Sequence, residues 1–409
     1  MPVILVGTLD TKGIEYQFIR DRLNAAGVAT TVIDAGVVGP SAFEPDISRE
    51  QVYAAAGTNL EEVRAAGDRG RAIAAAAEGA ARIVHSQAGK DTEGILALGG
   101  SAGTTIGTAV MRAVPFGVPK LMVSTLASGQ VKQYVGVRDI MMMHSVVDIA
   151  GLNRISRTVL TNAANAMIGM VRGAARQPPS AGAASGKPLI SATMFGVTTP
   201  CVEAARNLLE AAGCEVLVFH ATGTGGMTME SFIRDGIIQG VLDITTTELA
   251  DELVGGILTA GQDRLTAAGL RGVPQVISLG ALDMVNFGPP DTVPARFQGR
   301  LFYQHNPTVT LMRTTPEEND KLGKEIAEKA SAARGPTAVL VPRRGVSAID
   351  AEGKPFWWPE ADRALFQSLR QWLSPRVELV EMDCHINDPA FAQAAAEKLL
   401  QLTGRPAAV

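Results

Sequence analysis

Residues 95–111, ILALGGSAGTTIGTAVM, decide the fold of this chain, because they join a buried strand to a helix through a glycine-rich turn. The apolar run at 95–98 predicts the strand, and the apolar residues of 106–111 predict the helix. Glycines allow close approach to the backbone, and hydroxyls beside a helix start favour an anion, most simply a phosphate. The alternative is a tight turn in which the glycines serve packing alone. These glycines and hydroxyl residues are Gly99, Gly100, Ser101, Gly103, Thr104 and Thr105.

Length and composition predict a soluble α/β protein of two domains. The chain has 409 residues, more than one hydrophobic core usually holds, with 46% hydrophobic and 19% charged residues. A formal charge of −4 without a basic stripe argues against nucleic acid as a partner. The sequence has no apolar run long enough for a bilayer span and no signal-like start, and its three cysteines form no CxxC pair. We therefore expect a cytoplasmic protein without a membrane partner.

The domain boundary is predicted from composition. A strand, a helix and a strand at 3–6, 15–26 and 29–33 form a βαβ unit, with residues 7–13 as the loop between the first two. The stretch GAARQPPSAGAASGK at 173–187 is too rich in Gly, Ala, Ser and Pro to build a core. We predict an N-terminal domain at 1–177, a linker at 178–187 and a C-terminal domain at 188–409.

The two halves of the chain repeat one plan. Aligning Val3 with Leu189 carries the first βαβ unit onto a second one without a gap, and it places Asp34 opposite His220. The tripeptide GVP precedes a predicted strand in both halves, at 117–119 and at 272–274. Two Rossmann-like domains with mostly parallel sheets, related by an internal repeat, are the prediction.

The stretch GTLDTK, Gly7 to Lys12, adds polar groups at the end of the first strand. Asp10 can hold a metal ion such as Mg²⁺, while Thr8, Thr11 and Lys12 can bind phosphate oxygens. Helix capping by Thr11 is the alternative. The chain has neither a Walker A motif nor a full GxGxxG fingerprint. Gly7, Asp34 and Ser124 are further candidate cofactor contacts, because they lie at predicted strand ends.

The second half carries different polar groups at its strand ends. HATGTGG begins at His220, TTTE ends at Glu248, and Asp283 follows a third strand. A histidine and two carboxylates can perform acid–base catalysis or bind a divalent metal. A lone histidine at a strand end is more often structural, and no zinc spacing is present. His220, Glu248 and Asp283 are the candidate catalytic residues.

Nine motifs in order resemble one family. They are GTLDTKG, LGGSAGT, VSTLASG, YVGVRDI, GVTTPCV, VFHATGTGG, LDITTTEL, GALDMVNFG and HNPTVTLMRTT, and they span nearly the whole chain. The family is the Tm-one-like ATP-binding family, related to the tomato mosaic virus resistance protein. The resemblance implies a two-domain α/β protein, often a homodimer, that binds ATP through its N-terminal region.

Two hypotheses for function follow. In the first, the N-terminal domain binds ATP, with Mg²⁺ at Asp10 and the phosphates at the two strand-end stretches. In the second, the protein is an enzyme for a small metabolite bound in a cleft between the domains. His220, Glu248 and Asp283 would then serve as acid, base or ligand.

Overall fold

The computed structural model describes residues 2–88, 92–129, 131–176 and 186–405. The chain divides into two compact units, 1–181 and 182–409. Most of the predicted linker at 178–187 lies outside the described residues. Each unit is therefore described by itself.

The N-terminal unit is built on a parallel sheet of five strands in the order β2-β1-β3-β4-β5. The first four strands are rich in Val, Ile and Leu and are mostly buried, as both faces of a parallel sheet require. The strands are β1 Val3–Gly7, β2 Thr30–Asp34, β3 Gly94–Gly99, β4 Lys120–Ser124 and β5 Met141–His144.

The described residues of this unit form seven α-helices and a short π-helix at Val84–Ala88. Helices α1 and α7 pack on one face of the sheet and α2 to α5 pack on the other. The helices are α1 Leu9–Ala25, α2 Arg49–Ala55, α3 Leu60–Ala66, α4 Arg69–Ile83, α5 Ser101–Arg112, α6 Lys132–Val135 and α7 Arg154–Arg176.

One local prediction in this unit was wrong. The stretch at 7–13 is not a loop, since α1 already begins at Leu9 and continues through a kink at Lys12. An acidic residue in the first turn, Asp10, favours this early start. Residues 59–82 hold two helices, α3 and α4, because Gly67 adopts a left-handed conformation (φ +62°) that ends α3.

The C-terminal unit has a parallel sheet of six strands in the order β14-β13-β9-β8-β6-β7. Three further strands form a separate antiparallel sheet in the order β10-β12-β11. The strands are β6 Leu189–Met194, β7 Glu215–His220, β8 Gly240–Thr245, β9 Gln275–Gly280, β10 Met284–Phe287, β11 Phe302–Asn306, β12 Val309–Arg313, β13 Thr337–Pro342 and β14 Glu378–Met382. The helices are α8 Thr199–Ala211, α9 Thr224–Arg234, α10 Thr247–Val254, α11 Ala267–Arg271, α12 Pro316–Ser331, α13 Pro359–Trp372 and α14 Pro389–Leu402.

The two parallel sheets confirm the Rossmann-like α/β prediction. In each sheet the first strand lies between the second and the third, so β1, β2 and β3 correspond to β6, β7 and β8. Asp34 and His220 end equivalent strands, as the alignment predicts. The antiparallel sheet follows β9, and the described residues of the first unit contain no counterpart to it.

The hydroxyl of Tyr16 joins β1 to β3 at their carboxyl ends. It donates to the carbonyl of Val6 and accepts a 2.9 Å hydrogen bond from the N–H of Leu98. These contacts lie at and just beyond the last paired residues, Val6 and Ala97. A Cβ atom at Gly7 would lie 2.0 Å from this hydroxyl, so the glycine is needed to admit the tyrosine.

Tyr16→Phe should destabilise the N-terminal unit by about 1–3 kcal/mol, because buried backbone groups of both strands lose a partner. Hydrogen exchange of the β1 and β3 amides measures the loss. Tyr53→Phe is the matched control, since this buried tyrosine faces a cavity instead of two strand ends. Equal protection in both variants would contradict the bridging role.

Candidate functional site

A cavity of about 600 Å³ opens at the carboxyl edge of the first sheet. It lies beside β1 and β3, whose following helices pack on opposite faces, and ligands of open α/β sheets bind at such points. Thr8, Asp10 and Thr11 line it from the start of α1, and Ala102 lines it from the first turn of α5. Sequence reasoning correctly placed the stretches 7–12 and 99–105 at this one edge.

The rest of the cavity wall is mostly apolar. Val63, Ile73 and Ile106 contribute from three different helices, and Tyr53 adds an aromatic ring. Arg64, Asp68 and Arg69 add charged groups to the lining. A pocket with one polar end and an apolar body is typical of small-molecule and cofactor sites. The sequence had not predicted this wall, because its residues come from the separated helices α2, α3 and α4.

The first turn of α5 presents backbone donors that have no partner. The N–H groups of Ser101, Ala102 and Gly103 make no hydrogen bond to any described residue, and Gly100 provides no capping side chain. The start of α1 is more nearly satisfied, because the N–H of Leu9 donates to Asp34 Oδ1 at 3.1 Å. The α5 end is therefore the stronger of the two candidate anion sites.

Asp10 has one satisfied and one free oxygen. Its Oδ2 accepts hydrogen bonds from the N–H groups of Val37 at 3.0 Å and Val38 at 2.8 Å, and Arg49 Nη1 lies 3.9 Å away. Its Oδ1 is buried and has no partner within the described parts of the chain. A buried carboxylate oxygen without a donor is costly, so this oxygen is a candidate ligand-binding atom.

The three glycines after β3 have two different roles. A Cβ atom at Gly99 would lie 2.8 Å from Gly103 Cα, and one at Gly103 would lie 2.9 Å from the Leu98 carbonyl oxygen. These two glycines are therefore explained by packing. A Cβ atom at Gly100 would meet only Thr125 Oγ1, at 3.7 Å. Gly100 is the glycine whose open space is left for a ligand.

The predicted hydroxyl contacts divide in the same way. Thr104 is buried, and its Oγ1 bonds to the Gly100 carbonyl and to Ser124 Oγ, each at 2.7 Å. The hydroxyls of Thr104 and Ser124 thus stabilise the turn by hydrogen bonds within the protein. Thr105 Oγ1 donates to the carbonyl of Ser101 at 2.9 Å, whereas the Ser101 side chain is exposed. Of these hydroxyls, that of Ser101 is the one left open to a ligand.

Three other predicted cofactor contacts have structural surroundings. Asp34 is fully buried and accepts from Arg49, whose Nη2 lies 2.6 Å from its Oδ2. Lys12 donates to the carbonyl of Ile149, in the loop before α7. Gly7 makes room for Tyr16, as described above. A ligand contact at Asp34 would have to break a buried ion pair, so we reassign Asp34 to capping α1.

The three candidate catalytic residues of the C-terminal unit lie in three different environments. His220 is exposed and stacks on Phe195 with ring centroids 5.4 Å apart. Glu248 is buried against Arg264, and Asp283 is buried against Ser347, whose Oγ donates to it at 2.8 Å. No hydrogen bond joins any two of the three among the described residues. Their geometry gives no support to a common acid–base site.

Arg264 is the residue that sequence reasoning missed here. Its guanidinium is fully buried and lies 2.6 Å from both Asp243 and Glu248. Glu248 in turn accepts from the N–H groups of Gly223 and Gly226 at 2.7 and 3.0 Å. The polar groups at these strand ends, which suggested a second ligand site in the sequence, are thus paired with Arg264 of the same unit. An arginine within an irregular segment gave no sequence signal for this contact.

A second buried network surrounds Arg313. Its Nη2 lies 2.6 Å from Asp362 and 3.4 Å from Asp350. Burial, reinforced by the charge of Asp350, raises the pKa of Asp283 to about 8 and that of Asp362 to about 7. One guanidinium cannot balance three buried carboxylates, so protonated carboxyls are favoured in the folded unit.

The described residues contain no group of three or more His, Cys, Asp or Glu side chains arranged to hold a metal ion. In the same ranges, no helix has the length and apolar character needed to cross a membrane. A protein cage for a metal is therefore not found in this part of the chain.

Gly103→Ala should destabilise the N-terminal unit by about 1–3 kcal/mol, because its Cβ atom would press on the Leu98 carbonyl. Gly100→Ala should change stability by less than about 0.5 kcal/mol, since its φ is −81° and the space is open. Urea unfolding followed by far-UV circular dichroism compares the two variants. Equal losses in both would contradict the division of roles among the glycines.

The C-terminal unit should lose stability as the pH rises from about 5 to 8. Its folded state favours protonated Asp283, whereas the unfolded chain releases that proton near pH 4, so raising the pH favours unfolding. The slope from this group is at most about 1.4 kcal/mol per pH unit, and Asp283→Asn should remove it. All three tryptophans, Trp357, Trp358 and Trp372, lie in this unit, so their fluorescence follows its unfolding. Asp320→Asn, at an exposed position of α12, should keep the wild-type slope.

Comparison with known proteins gives a consistent result along the chain. Family models described as the N-terminal and C-terminal domains of the uncharacterised protein family UPF0261 match residues 1–176 and 187–403. A UPF0261 protein of Clostridium tetani is 52% identical over 402 residues, covering 98% of both chains. One from Rhizobium meliloti is 49% identical over 395 residues, covering 96% of this chain and 97% of its own. The ToMV resistance protein Tm-1 of Solanum lycopersicum is 41% identical over 421 residues, which cover 98% of this chain and 56% of that protein.

Proposed function

The chain belongs to the uncharacterised protein family UPF0261, and we propose that its N-terminal unit binds ATP at the cavity beside β1 and β3. One observation carries the proposal. Asp10, whose Oδ1 has no partner among the described residues, and Ala102, which lies in the first turn of α5 with its unpartnered N–H groups, both line one apolar-walled cavity of about 600 Å³.

The phosphates would lie at the start of α5. Three unpartnered N–H groups and the positive end of the helix dipole favour phosphate oxygens there. The exposed Ser101 hydroxyl can add a donor, and Thr8 and Thr11 face the cavity from α1. These two threonine hydroxyls bond to each other at 2.7 Å, and Thr11 Oγ1 also donates to the Thr8 carbonyl at 3.3 Å, so a phosphate would compete with these contacts for the hydroxyl protons.

The nucleoside would occupy the apolar part. Val63, Ile73 and Ile106 offer a surface from which an adenine ring excludes water, and such burial contributes about 25 cal/mol per Å². Arg64 and Arg69 bring positive charge to the cavity, where it can reduce repulsion from the polyphosphate. The apolar wall and the α5 donors thus fit the two chemically different ends of one nucleotide.

The free oxygen of Asp10 fits a Mg²⁺ ion. Mg²⁺ is usually held by one or two carboxylates together with phosphate oxygens and water, so a single carboxylate suffices. When bound, the ion would neutralise phosphate charge next to the Asp10 carboxylate. Asp10 would bind the ion, while Arg49 and the N–H groups of Val37 and Val38 fix the orientation of its carboxylate.

Isothermal titration calorimetry of ATP, with and without Mg²⁺, tests the proposal. Gly100→Ala should weaken ATP binding about tenfold or more, because its methyl group would occupy the space in front of the α5 donors, while the fold is unchanged. Gly169→Ala is the matched control, since a Cβ atom at this α7 position meets nothing within 4 Å. No binding at millimolar ATP in the wild type would refute the proposal.

The charge of Asp10 allows a second test. Asp10→Asn retains an oxygen for the N–H groups of Val37 and Val38 but removes the charge that would bind Mg²⁺. We expect ATP binding without Mg²⁺ to be as strong as in the wild type or stronger, and the gain from Mg²⁺ to disappear. A variant that keeps the full gain from Mg²⁺ would show that Asp10 is not the metal ligand.

The family resemblance adds two coarser proposals, a homodimer and a cytoplasmic location. Sedimentation equilibrium and fractionation of the native host test them. The alternative function, an enzyme that uses His220, Glu248 and Asp283, has no observation in its favour, because these side chains lie in separate surroundings.

A further inference from the structure

We propose that the C-terminal unit contains a separate ligand site, a basic cavity that binds small molecules carrying two or more anionic oxygen groups. The cavity has a volume of about 950 Å³. It is formed where the loops after β13 and β14 meet the first three turns of α13. None of the residues assigned to ATP or to the candidate catalytic set lines it.

Five cationic side chains line the cavity. Three come from the loop after β13 and two come from one side of α13, four and eleven residues after its first residue. They are Arg343, Arg344, Lys354, Arg363 and Arg370. Cations that converge from two elements of the fold can contact several anionic groups of one ligand at once.

The acidic partners of these arginines lie outside the lining. Arg344 pairs with Asp383 at 2.6 Å, and Arg363 pairs with Glu360 at 3.0 Å. These two pairs are exposed, and exposed pairs are weak because water and salt screen them. Arg370 is more firmly engaged, since both oxygens of the partly buried Glu381 accept from its guanidinium. A guanidinium has five N–H donors, and one carboxylate engages at most two of them. The arginines therefore keep donors for a ligand.

The cavity has fewer acidic than cationic side chains. Asp362 is engaged by Arg313 at 2.6 Å, and Asp388 accepts from the N–H of His385 at 2.8 Å. Glu352 is the third carboxylate of the lining, and it has no ion pair with a described residue. The lining thus holds five cations against three carboxylates, of which two are already engaged.

The loop that carries Arg343 and Arg344 is firmly held. Gly345 has φ +126°, and a Cβ atom there would lie 1.7 Å from the Asp350 carbonyl oxygen, so only glycine fits. The N–H of Val346 donates to Asp350 Oδ2 at 3.0 Å. A backbone fixed in this way orients the arginines before a ligand arrives, which lowers the entropy cost of binding.

Trp357 gives the cavity an aromatic side. Its ring is 47% exposed and lines the cavity together with the polar side chains of Gln367 and Asn387. A half-exposed indole next to cations and amides suits the carbon body of a phosphorylated or polycarboxylated metabolite. Phosphate esters and polycarboxylates share this chemistry, and the experiment separates them.

Trp357 also provides the readout. The full-length protein is titrated with inorganic pyrophosphate and, separately, with citrate, at low ionic strength and without Mg²⁺, and tryptophan fluorescence is followed. We expect a saturable change with at least one anion. Saturation by pyrophosphate alone indicates a phosphate ester, and saturation by citrate alone indicates a polycarboxylate.

Removing a positive or a negative charge from the lining should change the binding affinity in opposite directions. Lys354→Gln should weaken binding about threefold to tenfold, and Glu352→Gln should strengthen it by a similar factor. Arg206→Gln, at an exposed ion pair on α8, is the control and should have no effect. Gly100→Ala should also have no effect, which separates this site from anion binding in the N-terminal unit.

Two results would overturn the proposal. One is the absence of a saturable change with both anions at millimolar concentration, checked by calorimetry. The other is a response in which Lys354→Gln, Glu352→Gln and Arg206→Gln all bind with the wild-type affinity.

Discussion

The hydrogen bonds of the Tyr16 hydroxyl fix the point from which the N-terminal site is built. The hydroxyl accepts a hydrogen bond from the N–H of Leu98 at the end of β3 and donates one to the carbonyl of Val6 in β1. These are the strands that precede α5 and α1. This side chain provides hydrogen-bond partners for backbone groups at the ends of both strands, and it leaves the space between α1 and α5 open. Burial raises the pKa of Tyr16, so the hydroxyl keeps its proton and can remain a donor. The position of the α5 donors relative to Asp10 depends on this bridge.

The two units differ in which groups the buried arginine contacts at the strand ends. In the N-terminal unit, Arg49 is engaged by Asp34 behind the cavity, so it supports α1 and leaves the α5 donors free. In the C-terminal unit, Arg264 lies among Asp243 and Glu248 and satisfies the polar groups that would otherwise face a ligand. Breaking such a buried network leaves an uncompensated charge and costs about 3–5 kcal/mol, so a ligand is not expected to displace it. The repeat therefore preserves the order of the strands. The contacts of one arginine in each unit determine whether the polar groups at the strand ends remain available to a ligand.

The sequence predicted the parallel sheets well, because buried strands and short turns carry a local signal. The run at 95–98 lies where the structure has β3. It predicted the glycine-rich turn but not the division between Gly100 and Gly103, since that depends on distances to Leu98 and Thr125 across the fold. Long-range contacts such as those of Arg264 and Arg313 leave no local pattern, so the surroundings of the candidate catalytic residues could not be predicted from the sequence.

The environment of Asp10 argues for a metal more strongly than its position does. A carboxylate next to the proposed phosphate position would repel ATP if nothing lay between them, and the repulsion is large where water is excluded. The fold could avoid this repulsion by pairing Asp10 fully with Arg49, yet Arg49 is engaged by Asp34 at 2.6 Å and approaches Asp10 only to 3.9 Å. The charge of Asp10 is thus held in place by backbone donors without being neutralised. A cation that arrives with the nucleotide resolves both problems at once, which is why we expect binding at this site to require Mg²⁺ only while Asp10 carries its charge.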